Sequence, residues 1–246
     1  MDLLSLVGLL IAAIGVVGGY LIEGGGFNAL FNGPALLIVF GGTFGAAMVQ
    51  SQVSIFSHAM KMMVWALFPP RLGAQRIIKK IIEWSNIARK EGLLGLETIA
   101  ETESDVFARK SLQLLVDGND SDVIKRVLQV EINSKQQYDH HAATIVESMG
   151  RYSIFAGILA AIIGLMPVTH ENLPTEALRA AVEAALIALV YGICFAQFVF
   201  VPCARKLNYV VAAQAQIQTM LLEGVLSIAE GENPRNIESK LQGFIP

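Results

Sequence analysis

Four stretches of the chain are long and nearly free of charge, and polar segments separate them. They cover residues 3–22, 34–50, 152–168 and 180–202, and only the fourth contains a charged side chain, Glu183. A helix of about 20 apolar residues matches the thickness of the hydrocarbon core of a bilayer. The pattern therefore predicts four transmembrane helices, arranged as two hairpins with short connectors.

Lysine and arginine occupy only some of the intervening segments. Of the 18 basic residues, 13 lie between Lys61 and Arg151, and four follow the fourth apolar stretch. The connectors at 23–33 and 167–178 contain glutamate but neither lysine nor arginine. Because basic segments stay on the cytoplasmic side of a membrane, we expect both termini and the long middle segment inside and both connectors outside.

The same pattern divides the chain into four segments and predicts an all-α integral membrane protein. Apolar residues at 77–82 recur at helical spacing, and Asp117-Gly118 begins a turn before a helix that leads into the third span. No segment has the alternation of a strand. The predicted segments are transmembrane helices 1 and 2 at 1–50, a cytoplasmic helical domain at 51–150, transmembrane helices 3 and 4 at 151–204, and cytoplasmic C-terminal helices at 205–246.

Small residues form stripes along the predicted spans. The third span contains Gly157, Ala160, Ala161 and Gly164, and the fourth contains Ala181, Ala185, Ala188 and Gly192. Small side chains let helices approach closely in lipid, where dispersion replaces the hydrophobic drive. Two interpretations remain open: the stripes pack against each other within one chain, or they face neighbouring subunits or the helix of a partner.

Composition excludes several classes of protein. Charged residues make up 16% of the chain, against roughly 25% in soluble domains. The net charge of −3 gives no basic excess, so nucleic acid is not an expected partner. The sequence contains no phosphate-binding loop, no nucleophile elbow and no cluster of metal ligands. We therefore expect no enzymatic activity, no cofactor and no metal site.

Glu183 is the one ionisable residue clearly inside an apolar run. An acid in that position is costly and is by default a candidate for a functional group. Arg179 precedes it by four residues, so an interfacial salt bridge between the two is the alternative interpretation. Since no acid lies in the middle of any span, an ion path would need its main titrating group from another protein.

Several segments along the chain carry a resemblance to a known family. They are LIVFGGTFGA at 37–46, ARKEGLLGLE at 88–97, LLVDG at 114–118, the pairs Tyr191-Gly192 and Val201-Pro202, and the tail at 222–235. In these segments the sequence resembles the A subunit of the flagellar motor stator, the MotA/PomA group and especially its MotC branch. That group lies within the MotA/TolQ/ExbB proton channel superfamily, and the resemblance covers nearly the whole chain.

The resemblance implies a specific assembly in the bacterial inner membrane. Five A subunits would surround two helices of a MotB-like B subunit, whose aspartate carries a proton or a sodium ion. Ion flow would turn the ring, and the cytoplasmic region would act on the rotor protein FliG. Arg89 and Glu97 match the rotor-contact positions of the family, and they would share one helix face if the helix between them is continuous.

The chain departs from the family pattern along the expected ion path. Ile154 stands where the family usually has proline, and Ala161 and Leu189 stand where threonines occur. Sodium needs several oxygen ligands in place of its water, and these side chains supply none, so we expect protons rather than sodium. The residues expected to line the ion path or the partner helices are Ile154, Gly157, Ala161, Gly164, Ala185, Leu189, Tyr191 and Pro202.

Two alternative functions remain open at this point. The stretch that begins at Glu183 resembles the last span of ExbB and TolQ, which energise processes of the periplasm and outer membrane. The altered third and fourth spans are also compatible with an auxiliary stator or scaffold whose ion path is weakened.

Overall fold

The computed structural model describes residues 3–70, 73–169 and 174–244. Within these residues the chain is helical and contains no strand, as the sequence predicts. The ten α-helices are α1 (Leu3–Ile22), α2 (Gly33–Gln50), α3 (Val53–Met63), α4 (Ala74–Glu91), α5 (Glu97–Thr102), α6 (Val106–Val116), α7 (Ser121–Leu165), α8 (Thr175–Cys194), α9 (Val201–Ala229) and α10 (Pro234–Gln242).

Among the residues that the structure describes, four helical segments are long and apolar enough to cross a membrane, which agrees with the four predicted spans. The first two are α1 and α2. The third lies in the C-terminal half of α7, and the fourth begins at Thr175 and continues through a π turn at Phe195–Phe200 into α9. The predicted third span reached Val168, but α7 ends at Leu165 and a 3-10 turn follows over Met166–Thr169.

The chain forms two compact units. The first unit comprises Met1–Pro69 and Asp139–Val210, and the second comprises Pro70–Tyr138 and Val211–Pro246. The unit boundaries fall inside the segments predicted at 51–150 and 205–246. The assignment of those segments to the cytoplasm stays a prediction.

The second unit has its own hydrophobic core. In α4, Ile78, Ile81 and Trp84 are buried on one face, at the spacing that brings residues three and four apart together. They pack with residues of α6, α9 and α10, including Leu112, Met220, Leu222 and Leu241. Apolar burial on this one-sided pattern is the main force that holds the unit together.

Helix α3 is an element that the sequence did not predict separately. It follows α2 after the break at Ser51 and Gln52, and it buries Ala59 and Met62 in the first unit. Its apolar residues follow the charge-free second span without a turn signal of the glycine or proline kind. The pattern of hydrophobic positions alone therefore did not separate α3 from what precedes it.

Candidate functional site

Helices α7 and α8 approach each other closely in the first unit. A Cβ atom added to Gly157 would lie 2.9 Å from the backbone oxygen of Ala188 and 2.9 Å from Cα of Gly192. A Cβ atom on Gly192 would lie 2.6 Å from the backbone oxygen of Ser153. Only glycine at both positions permits this contact, because real Cβ atoms do not approach backbone atoms so closely.

Alanines extend this contact along both helices. Ala160 and Ala161 of α7 and Ala185 and Ala188 of α8 are buried in one apolar cluster. The cluster also contains Ala35 and Val39 of α2. The small-residue stripes of the third and fourth spans thus pack against each other within the chain, which supports the first of the two interpretations for these stripes.

The buried hydroxyl groups beside this cluster donate to backbone carbonyls. Thr43 Oγ1 donates to the oxygen of Val39 at 2.6 Å within α2. Ser153 Oγ donates to the oxygen of Gly192 at 3.0 Å, across the close approach of α7 and α8. Both residues are nearly inaccessible to solvent. Each bond satisfies a hydroxyl that would otherwise be costly to bury.

Tyr191 connects the fourth span to the connector before α2. Its hydroxyl donates to the backbone oxygen of Leu30 and accepts a hydrogen bond from the backbone nitrogen of Asn32 at 3.0 Å. Asn32 is itself the N-cap of α2, and its Oδ1 accepts from the nitrogen of Ala35 at 3.1 Å. The phenol therefore fixes the start of α2 relative to α8.

A π turn interrupts the fourth span just before Pro202. It covers Phe195–Phe200, and the nitrogen of Val201 bonds to the oxygen of Ala196. Proline has no N–H group and its ring crowds the carbonyl four residues earlier, which is that of Phe198. Widening the preceding turn is one way to relieve that crowding. Pro202 itself is exposed.

The other residues expected along the ion path lie on the same two helices. Ile154 and Leu189 are half-buried, and Ile154 lies within the unbroken α7. A Cβ atom on Gly164 would meet Ala185 at ordinary contact distances of 3.7 Å or more. The structure thus brings together Gly157, Ala161, Gly164 and Ala185, while their role in an ion path stays a prediction.

Glu183 lies on an exposed face of α8. It lines an open cavity of about 830 Å³ between α1 and α8, together with Arg179, Glu23 and Tyr20. The ion pairs formed by the described residues do not include one between Arg179 and Glu183. The structure therefore does not support the interfacial salt bridge that their spacing suggests.

Arg89 and Glu97 are both exposed in the second unit, but no single helix joins them. Helix α4 ends at Glu91, and Gly92 has a φ of 76°, a conformation that favours glycine. A 3-10 turn at Leu93–Leu96 leads to Glu97, the first residue of α5. Arg89 and Glu97 could share a helix face only if one helix ran through both residues, and no helix does so.

Two features of the first unit were missed from sequence. Asp139 is buried and pairs with His58, with 2.6 Å between Oδ1 and Nε2, and Trp65 lies edge-on to the imidazole. The second is the tie between Tyr191 and Asn32. The partners are 81 and 159 residues apart in the chain, and no local pattern marks such pairs.

Comparisons with known proteins point to one family along the whole chain. A family model described as the MotA/TolQ/ExbB proton channel family matches residues 99–220, and one described as the motility protein A N-terminal region matches residues 6–92. Motility protein A of Bacillus subtilis (strain 168) is 31% identical over 248 residues, which cover 100% of this chain and 92% of the relative.

Two solved structures of stator complexes are similar to the chain. One is described as the structure of C. jejuni MotAB, with 26% identity, a TM-score of 0.94 and coverage of 100% of this chain and 96% of that chain. The other is the flagellar MotAB stator complex from Bacillus subtilis, with 30% identity, a TM-score of 0.88 and coverage of 98% and 95%.

Proposed function

Because the chain belongs to the motility protein A branch of the MotA/TolQ/ExbB proton channel family, we propose that it couples proton flow to torque on a flagellar rotor. It is a multi-pass stator subunit and not an enzyme. The observation that carries the proposal is the similarity to two MotAB structures over nearly the full length of every chain compared.

We propose that the chain works with a MotB-like B subunit. Both similar structures are of MotAB complexes. The four apolar stretches contain one acid, Glu183, and it lies on an exposed face of α8 rather than in the α7–α8 contact. An aspartate supplied by the partner is the group that would bind the ion. By family resemblance, five copies of this chain would surround two partner helices.

The proposed ion is the proton. Ala161 lies in an apolar cluster, and the nearby hydroxyls of Thr43 and Ser153 already donate to backbone carbonyls. These positions do not converge into the set of oxygen ligands that a dehydrated sodium ion needs. A proton requires only an acceptor and a chain of water.

The membrane orientation is proposed from charge. The connector residues between α1 and α2 carry no lysine or arginine, whereas the second unit contains many. On this pattern we propose that the second unit and both termini lie in the cytoplasm. By family resemblance, the membrane would be the bacterial inner membrane. The flagellar branch is favoured over an ExbB/TolQ-like energiser because the N-terminal match is to motility protein A.

We further propose that Arg89 and Glu97 contact the rotor protein FliG. Both side chains are exposed and lie on either side of the turn at Gly92. Arg89 is in the last turn of α4 and Glu97 is in the first turn of α5, where the helix dipoles favour these charges. Charges at an exposed rim govern orientation and encounter rate more than affinity.

Charge reversal tests this contact. In Arg89→Glu and Glu97→Lys variants, we expect motor speed under load to fall by about twofold or more, because like charges would then oppose the rotor. Tethered-cell rotation measures speed, and proton flux measured in vesicles that contain the stator complex should be unchanged. Lys90→Glu is the matched control, since Lys90 is also exposed in the last turn of α4. Equal losses in all three variants would contradict a specific rotor contact.

A further inference from the structure

The cavity between α1 and α8 has a mixed set of charges that the proposed function does not use. Its polar lining includes Glu23 and Tyr20 of the first hairpin and Arg179 and Glu183 of α8. Glu23, Arg179 and Glu183 are exposed. The cavity therefore presents two carboxylates and one guanidinium at the end of the spans that holds the short connectors.

The remaining lining of this cavity is apolar. Val182, Leu186 and Val190 follow Arg179 along α8 at helical spacing, away from the connector. The cavity shares Val16, Leu30 and Val190 with a second cavity of about 380 Å³, whose lining is almost entirely aliphatic and aromatic. A polar mouth thus leads into an apolar crevice that runs along α1.

We propose that this crevice binds a phospholipid of the surrounding bilayer with a phosphoethanolamine headgroup. The Arg179 guanidinium is suited to the phosphate, which it contacts through a planar pair of N–H donors. The carboxylates of Glu183 and Glu23 accept from the lipid ammonium group. An acyl chain then lies on the apolar side chains of α8 and enters the second cavity.

Charge complementarity favours this lipid over others. The three charged side chains sum to −1, so an anionic phosphatidylglycerol headgroup would meet net repulsion. A phosphocholine headgroup is zwitterionic like phosphoethanolamine, but its quaternary ammonium group has no N–H donors for the two carboxylates. Tyr20 supplies an amphipathic ring, of the kind that is enriched where the headgroups meet the hydrocarbon. The assignment to the outer leaflet rests on the proposed orientation, whereas lipid selection does not.

Photoactivatable lipids test the proposal on the complete stator complex. The complex is reconstituted in liposomes that contain equal amounts of ethanolamine, choline and glycerol phospholipids. One headgroup class at a time carries a diazirine on its acyl chain, and adducts are mapped by mass spectrometry. We expect the ethanolamine lipid to label the apolar lining of α1 and α8 about two- to fivefold more than the glycerol lipid. The expected preference is this small because exposed ion pairs contribute little binding free energy.

Substitutions test whether the charged residues at the polar mouth cause the lipid preference. Glu183→Gln and Arg179→Gln should each reduce the ethanolamine preference by about two- to fivefold. Glu176→Gln is the matched control, because Glu176 is an exposed acid at the start of α8 outside the cavity lining.

Three results would overturn the proposal. These are equal labelling by ethanolamine and glycerol lipids, an equal loss in Glu176→Gln, and the absence of lipid adducts in favour of cross-links to a neighbouring copy of the chain. The last result would mean that a second copy covers the crevice. None of these readouts depends on motility or ion flux. A result against the lipid proposal would therefore leave the proposed motor function unaffected.

Discussion

At the scale of single residues, the contact between α7 and α8 depends on the absence of side chains at two positions. Gly157 and Gly192 place backbone against backbone, and the hydroxyl of Ser153 bonds across the same contact. Gly164 lies one and a half to two turns further along α7, where the helices are farther apart. Gly157 and Gly164 therefore differ in what a methyl group would meet.

This difference predicts opposite outcomes for the same substitution. Gly157→Ala should lower the stability of the purified protein by about 1–3 kcal/mol, because the added methyl group forces α7 and α8 apart. Gly164→Ala should be neutral or stabilising by up to ~1 kcal/mol, since alanine favours the helix and has room there. Thermal unfolding in detergent measures both. Equal destabilisation by the two substitutions would contradict the described contact.

Glu103 is a buried carboxylate of the second unit that accepts several hydrogen bonds. Both of its carboxylate oxygens accept from Nζ of Lys80 at 2.8 Å, and one accepts from the nitrogen of Asp105 at 3.1 Å. Burial by itself raises the pKa of Glu103, but these hydrogen bonds and the charge of Lys80 outweigh it. The net result is a pKa below the ordinary value of the group.

The lowered pKa fixes the direction of a pH dependence. The unfolded chain binds a proton at Glu103 more readily than the folded one, so this group stabilises the fold above its unfolded pKa. That contribution is lost as the pH falls through the folded pKa. We expect Glu103→Gln to lower stability at neutral pH by about 1–3 kcal/mol and to remove part of the acid dependence. Unfolding curves over a pH series measure this effect.

The matched control for Glu103 is the exposed Glu101 in the neighbouring helix α5. Glu101→Gln should leave both the stability and its pH dependence nearly unchanged, within about 0.5 kcal/mol. If the two variants behaved alike, the Lys80–Glu103 pair would not be the source of the acid dependence.

At the scale of helices, composition was enough to predict the membrane spans. Helix breaks that depend on the backbone conformation of a single residue were missed. Runs with at most one charged residue predicted the four spans, and the sequence also predicted the helix that leads into the third span. Arg89 and Glu97 do not share one continuous helix, because α4 ends at Glu91 and Gly92 adopts a positive φ. A glycine in a sequence indicates that a break is permitted but not that it occurs.

In the candidate site, too, the sequence predicted some features and missed others. Glycine and alanine stripes predicted close packing, but the sequence did not say which stripes would meet. Gly157 and Gly192 do meet, whereas a Cβ atom on Gly41 or Gly45 of α2 would have no neighbour within 4 Å. The tie from Tyr191 to Asn32 requires the two hairpins to be placed side by side, which is a property of the folded chain.

The π turn before Pro202 predicts a local change in stability. In Pro202→Ala the restored N–H group allows a regular α-helix through 195–201, because the crowding against the carbonyl of Phe198 disappears. We expect amide hydrogen exchange in this segment to slow by about tenfold, which corresponds to ~1.4 kcal/mol of local stability. Hydrogen-exchange mass spectrometry in detergent measures it.

Pro234 provides the control for this prediction. It is the first residue of α10, where its missing N–H group would have no partner within the helix. Pro234→Ala should therefore leave exchange in its own helix nearly unchanged. If exchange at 195–201 were as fast in Pro202→Ala as in the parent protein, proline would not be the cause of the π turn.

At the scale of the whole molecule, the proposed ion motor is divided between two proteins. This chain supplies four membrane helices with a tightly packed α7–α8 contact, and its apolar stretches contain no acid other than Glu183. The side chains at Ala161 and Leu189 add no oxygen ligands. Under the proposed function, the group that accepts the ion therefore belongs to the B subunit.

Ion flux into lipid vesicles tests this division most directly. The purified chain is reconstituted alone, with a MotB-like partner, and with a partner whose membrane aspartate is replaced by asparagine, and dyes in the vesicle lumen report protons and sodium. We expect proton uptake only with the intact partner, and no sodium uptake in any sample. Proton flux through the chain alone would contradict this division, as would sodium flux, or no flux at all, with the intact partner.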